Sequence, residues 1–64
     1  MTIRVFIADD HTIVCDGLRA LLETQPDLEV VGTASDGREA MQLIGRLEPD
    51  VAIMEIAMTE LNGI

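Results

Sequence analysis

The chain has 64 residues, about half of an ordinary domain, so it holds one folding unit at most. Twelve acidic residues against four arginines and no lysine give a formal charge of −8, which argues against nucleic acid or an anionic membrane as a partner of this segment. A single cysteine, Cys15, excludes an internal disulfide, no Cys/His spacing suggests zinc, and no apolar run approaches the ~20 residues of a membrane span. Yet 48% of residues are hydrophobic and the mean hydropathy is +0.31, too apolar for a disordered segment. Cores below ~70 residues are marginal without staples. A sticky composition without them implies that partner surface completes the core. The start, Met1-Thr2-Ile3-Arg4, runs straight into patterned sequence and does not read as a signal peptide. With the lone thiol and the acidic character, this points to a cytoplasmic setting.

Thr2 to Ala8 is β-branched and almost wholly apolar after Arg4, the pattern of a strand buried on both faces in a parallel sheet. Asp9 and Asp10 end it. From Thr12 to about Thr24, Val14, Leu18, Leu21 and Leu22 recur at helical spacing, with Ile13 and Cys15 beside them, and Pro26 stops the helix. Leu28 to Ala34 reads as a second strand. Asp36, three residues before Glu39, predicts a capping-box helix start, with Ala40, Met41, Leu43, Ile44 and Leu47 as its apolar stripe and Pro49 as its end. Val51 to Met54 is a third buried strand ended by Glu55, and Glu60 to Gly63 reads as a turn.

The order is therefore β-α-β-α-β in the α/β class. Right-handed crossovers sharply limit the topology. If the second crossover passes over the first strand, the strand order is 2-1-3 and the helices lie on opposite faces. The ends of the first and third strands then adjoin where the winding reverses, the position at which open α/β sheets bind ligands. Asp9, Asp10 and Glu55 stand there. Three neighbouring carboxylates repel, so such a site binds a cation or raises a pKa. Oxygen donors favour a hard ion such as Mg2+. The plain alternative is that Asp10 caps the first helix while Asp9 and Glu55 are solvated strand-end acids.

Ile3-Arg4-Val5-Phe6-Ile7-Ala8-Asp9-Asp10-His11 and Gly17-Leu18-Arg19-Ala20-Leu21-Leu22-Glu23 resemble the opening of a bacterial response-regulator receiver domain, of the variety joined to a LuxR-type (NarL/FixJ-like) helix-turn-helix. Pro26-Asp27-Leu28-Glu29-Val30-Val31-Gly32, Asp36-Gly37-Arg38-Glu39-Ala40 and Pro49-Asp50-Val51 continue the resemblance in register. It covers residues 1–64, yet corresponds only to the first three strands and two helices of a flavodoxin-like doubly wound domain. Residues 1–64 thus read as half of that sheet, a single truncated receiver unit.

The resemblance implies that Asp9 and Asp10 hold Mg2+, completed by the Ala57 carbonyl, and that the phospho-acceptor position falls on Glu55, where the family pattern has Asp. Thr12 and Thr59 stand where Pro is usual, Glu60 where Gly is frequent, and Asn62 where Asp is common; Gly63 matches. Glu carries an extra methylene, displacing the carboxylate by roughly 1.5 Å. In-line phosphoryl transfer depends on positioning at about that tolerance. A poor acceptor follows, either a partial phosphomimic or an inactive site, with Mg2+ weakly held. The receiver elements that sense the phosphoryl group, a Ser/Thr-ending strand and a Lys-ending strand, are not found in these residues.

Function then divides two ways. In the first reading the chain is a degenerate, non-enzymatic receiver module of two-component signal transduction that acts by protein-protein association. In the second it belongs to a longer phosphate-accepting transcription regulator of a phosphorelay, with a histidine kinase as partner. The third strand has an outer edge free of Lys or Pro, which implies a homodimer or larger homo-oligomer through that edge. The remaining candidates have structural readings. His11 is expected to be a solvated loop residue rather than a ligand, Cys15 a helix-packing residue, and Met41, Met54 and Met58 core filling rather than an adaptable partner surface. Arg4, Arg19, Arg38 and Arg46 are expected to pair with nearby acids.

Overall fold

The computed structural model describes residues 1–55. Five elements follow in order: β1 (Ile3–Asp9), α1 (Thr12–Leu22), β2 (Leu28–Ala34), α2 (Gly37–Leu47) and β3 (Val51–Glu55). All pairings are parallel and the sheet order is β2-β1-β3, the order expected when the second crossover passes over the first strand. The turn expected at Glu60–Gly63, together with Ala57, Met58 and Thr59, lies outside the described residues.

The central strand carries the core. Val5, Phe6, Ile7 and Ala8 are all buried, and alternation along β1 divides them between two clusters. On one face Phe6 and Ala8 meet Ala34 of β2 and Ala40 of α2, with Leu43, Ile44 and Leu47 around them. On the other, Val5 and Ile7 meet Cys15 of α1, surrounded by Leu18, Leu22, Leu28, Val30 and Ile53. The helices therefore cover opposite faces. Phe6 and Ile7 are the largest fully buried side chains, each contributing about 1.5–3 kcal/mol of transfer free energy.

Backbone bonds at the strand starts fix the register. Ile3 N donates to Asp27 O at 2.7 Å, tying β1 to the entrance of β2. Asp50 N donates to Arg4 O at 2.8 Å, while Arg4 N donates to Asp50 Oδ2 at 2.9 Å, tying β1 to the entrance of β3. Among the described residues the Arg4 guanidinium takes no acid: its Nη1 donates to the Glu48 carbonyl, in the residue that ends α2 with a left-handed φ of 48°. Arg19 does find one, Glu23, at 3.4 Å across one helical turn. The β1–β2 register slips between Val5 and Phe6, so that Gly32 pairs with Phe6. A side chain there would collide with Leu47.

Three expectations are corrected. Val14 and Leu21 do not face the core; they are 47% and 65% exposed, and the core-facing stripe of α1 is the buried Cys15 with half-buried Leu18 and Leu22. These three follow the 3.6-residue period as well as the expected set does. Met41, placed in the α2 stripe, is 61% exposed. Third, β3 is apolar but not buried: four of its five residues are exposed. Both helices pack mainly over β1 and β2, and of β3 only Ile53 reaches the α1-side core.

Candidate functional site

Asp9 is the last residue of β1 and its register partner in β3 is Glu55. Paired residues on adjacent parallel strands lie roughly 5 Å apart and present their side chains to the same face. The two acids therefore share the carboxyl-terminal tip of the sheet, at the point where α1 and α2 depart to opposite sides. Asp10 follows immediately. The trio of acids expected from the sequence does converge at one end of the molecule.

Burial separates the three. Asp9 is only 3% exposed and is the one buried charged residue among those described, whereas Asp10 and Glu55 are exposed. Burying a carboxylate is unfavourable without partners. Asp9 Oδ1 accepts from His11 N at 2.8 Å, a bond that turns the chain from β1 into α1. Asp10 does not cap that helix. The N-cap position is His11, which makes no side-chain capping bond. The capping box of α2, in contrast, is present: Asp36 Oδ1 accepts from Glu39 N at 2.7 Å, and Glu39 Oε1 accepts from Ser35 N at 3.0 Å. The return bond reaches one residue upstream of the cap itself.

His11 is exposed as expected, but it is engaged. Its Nδ1 lies 2.8 Å from Asp10 Oδ1 and 3.4 Å from Asp9 Oδ1. One ligating atom each from Asp9, Asp10 and His11 falls within a 4.8 Å cluster, and Glu55 is not part of that group. Mg2+ needs one or two carboxylates, its remaining positions being filled by water. The Asp9–Asp10 pair satisfies that donor requirement, with Glu55 close by on β3. A divalent ion held there would supply positive charge to offset the clustered acids. Adjacency in sequence alone gave no sign that the histidine would turn back onto both aspartates.

A cleft of about 220 Å³ opens beside Asp9, between the loops that follow β1 and β2. Thr12, Cys15, Asp16, Thr33, Ser35 and Glu39 line it with Asp9. The Cys15 thiol sits at its floor, and burial raises its pKa, with the charges of Asp16 and Asp9 acting in the same direction. A hydrogen bond with Thr33 and the charge of Arg19 oppose the rise without cancelling it. Such a thiol is a packing group and a poor nucleophile.

A doubly wound parallel sheet with an acidic pair ending its central strand at the winding reversal defines a class of signalling α/β domains. Residues 5–64 match the family model described as the response regulator receiver domain, and the chain belongs to that family. It is 52% identical over 62 residues to the transcriptional regulatory protein LiaR of Bacillus subtilis, a match covering 97% of this chain and 29% of the relative. It is 41% identical over 64 residues to the response regulator protein VraR of Staphylococcus aureus, covering 100% of this chain and 31% of the relative. Among solved structures, the response regulator domain of Thermotoga maritima CheB superimposes with a TM-score of 0.80 at 40% identity, over 81% of this chain and 39% of that one. The chain thus spans about a third or less of the two curated relatives. Among the described residues, no helix is long and apolar enough to cross a membrane.

Proposed function

We propose that the chain is a receiver module of two-component signalling whose phospho-acceptor position has lost its ordinary chemistry, so that it works by association with other proteins and not as an enzyme. A cytoplasmic setting goes with that role. One observation carries the reading: the residue paired with Asp9 across the tip of the sheet is glutamate. An aspartate would hold its carboxylate roughly 1.5 Å nearer the backbone, and reaching atoms of a transferring phosphoryl group tolerate displacements of only about that size. The same carboxylate, projecting beyond the strand end, supplies permanent negative charge near the place a phosphoryl oxygen would take, with fewer acceptor oxygens and less charge than phosphate.

Asp9 and Asp10 would hold Mg2+, weakly, since His11 already engages an oxygen of each and Glu55 stands outside their cluster. The Ala57 carbonyl, implied by the family pattern, belongs to the same proposal. The test is intact-mass spectrometry after incubation with Mg2+ and acetyl phosphate. The unmodified mass is expected; a phosphoryl increment mapped to Glu55 would overturn the reading.

A second reading is favoured by the names and lengths of the relatives, regulators of which this chain covers 29% and 31%. In it, residues 1–64 belong to a longer DNA-binding regulator that receives a phosphoryl group from a histidine kinase. A reading frame continuing past Ile64 into a Ser/Thr-ending strand and a Lys-ending strand would favour it.

A further inference from the structure

Asp9 is sparsely partnered for a carboxylate only 3% exposed, since no arginine pairs with it among the described residues. Its Oδ1 accepts one backbone hydrogen bond, from His11 N, and its Oδ2 accepts none among the described residues. A buried charge in that state is costly, and a bound cation removes the cost. The His11 ring turns toward the same place. Its Nδ1 lies 3.4 Å from Asp9 Oδ1 and 2.8 Å from Asp10 Oδ1. Those separations are also the ones found among donors around a single ion. Two ligands held at about 2.0–2.2 Å from one ion, in octahedral or tetrahedral array, stand roughly 2.8–3.6 Å apart.

We propose that His11 Nδ1 is a third protein ligand at the tip, and that Asp9, Asp10 and His11 together hold a first-row transition ion of the Zn2+ kind in preference to Mg2+. That choice rests on the reading of the tip as a cation site and names the class of ion it takes. Imidazole nitrogen suits Zn2+ and its first-row neighbours, whereas Mg2+ takes oxygen donors and keeps several of its waters. The contact that weakens the tip toward Mg2+, by engaging an oxygen of each aspartate, therefore becomes a metal bond toward Zn2+. A neutral ring carries one proton, and with that proton on Nε2 the Nδ1 lone pair is free to ligate.

Three protein donors with a further position left to water form an open zinc site. No spacing of histidine and cysteine in the sequence announces this one. It arises because the bond from His11 N to Asp9 Oδ1 folds the chain back as β1 passes into α1. All three ligands are consecutive residues of that turn, so the set is complete without any element that follows β3.

Isothermal titration calorimetry of Zn2+, Co2+ and Mg2+ into the unsubstituted chain, His11→Ala and His11→Gln tests this. The His11 side chain is exposed and its bond to Asp9 Oδ1 comes from the backbone, so both variants keep the turn. Both should weaken Zn2+ and Co2+ by at least about tenfold and leave Mg2+ bound equally or more tightly. In the unsubstituted 15N-labelled chain, Zn2+ should shift the His11 Nδ1 resonance to its metal-bound position and leave Nε2 protonated. Unchanged Zn2+ affinity in both variants, or an equal loss for Zn2+ and Mg2+, would overturn the proposal. So would ligation through Nε2, or a thiolate charge-transfer band with Co2+, which would place the ion on Cys15. If a variant unfolds, the Nδ1 shift in the unsubstituted chain decides. Failure of all three ions to bind would overturn the cation site together with the proposal. Normal Mg2+ binding without an effect of His11 on Zn2+ would overturn the proposal alone. A phosphoryl adduct on Glu55 would defeat the functional reading and leave the ranking of the ions unchanged, so the failures are distinguishable.

Discussion

Replacing Gly32 by alanine probes how closely β2 and β1 pack beneath α2. The added Cβ would stand 2.7 Å from Leu47 Cδ1 and 3.3 Å from two ring carbons of Phe6. Carbon atoms rest near 3.5–4.0 Å apart, so Leu47 must withdraw by roughly 0.8 Å or more. It sits half-buried in the last turn of α2 and can rotate; Phe6 is fully buried and cannot. Crowding of this kind costs about 1–3 kcal/mol, against roughly 0.4–1 kcal/mol recovered from a less flexible unfolded chain. A net loss near 1 kcal/mol lowers the melting temperature of a domain this size by about 4–8 °C.

Gly17→Ala is the contrasting case. No atom lies within 4 Å of a Cβ built there, and the residue is inside α1, so alanine should stabilise by about 0.5–1 kcal/mol. Urea melts followed by circular dichroism measure both. Stability of Gly32→Ala equal to or above that of the unsubstituted chain, or the same sign for both variants, would refute the packing argument.

Further expectations concern the capping box and the thiol. Asp36→Ala removes the acceptor for Glu39 N and should lower stability by about 1 kcal/mol, with Asp36→Ser restoring most of it, both read from the same melts. Cys15 should react with a thiol reagent at mildly alkaline pH at least about tenfold more slowly than in the urea-unfolded chain; equal rates would show that the thiol is neither buried nor charge-shielded. Because its folded pKa is raised, the neutral thiol is the form the fold prefers. Its contribution is whole below the unfolded pKa and is lost as pH climbs through the folded one. Cys15→Ala should therefore flatten the fall in stability on the alkaline side, and an unchanged slope would contradict the assignment.

The sheet order was legible because β1 carries apolar residues on both faces and because handedness leaves few topologies once the element order is known. The α2 start was legible for a local reason: Asp36 and Glu39 satisfy the helix terminus with side chains three residues apart. Helix α1 offered no such anchor. Ile13, Val14, Cys15, Leu18, Leu21 and Leu22 spread over about half of its circumference, so periodicity alone fits two stripes, and contact with Val5 and Ile7 decides between them. The open outer edge of β3 was legible from the element count, whereas the apolar run Val51–Met54 also read as buried, because composition records what a strand is suited to touch and not whether it is covered. At the site, strand pairing predicted the meeting of Asp9 with Glu55. The position of His11 follows from the tight β1–α1 turn and the Asp9 Oδ1 bond, which residue spacing does not encode.

The central claim is that the acids ending β1 and β3 form one cation-attracting tip. Titration with Mn2+, whose unpaired electrons broaden nearby amide signals, locates that tip directly in an 15N-labelled sample. Selective loss of the Asp9, Asp10, His11 and Glu55 signals at low Mn2+, reversed by excess Mg2+, is the predicted outcome. Broadening that leaves Asp9 and Glu55 sharp while erasing Asp16, Asp36 or Glu39 would contradict it, as would no selective broadening at all.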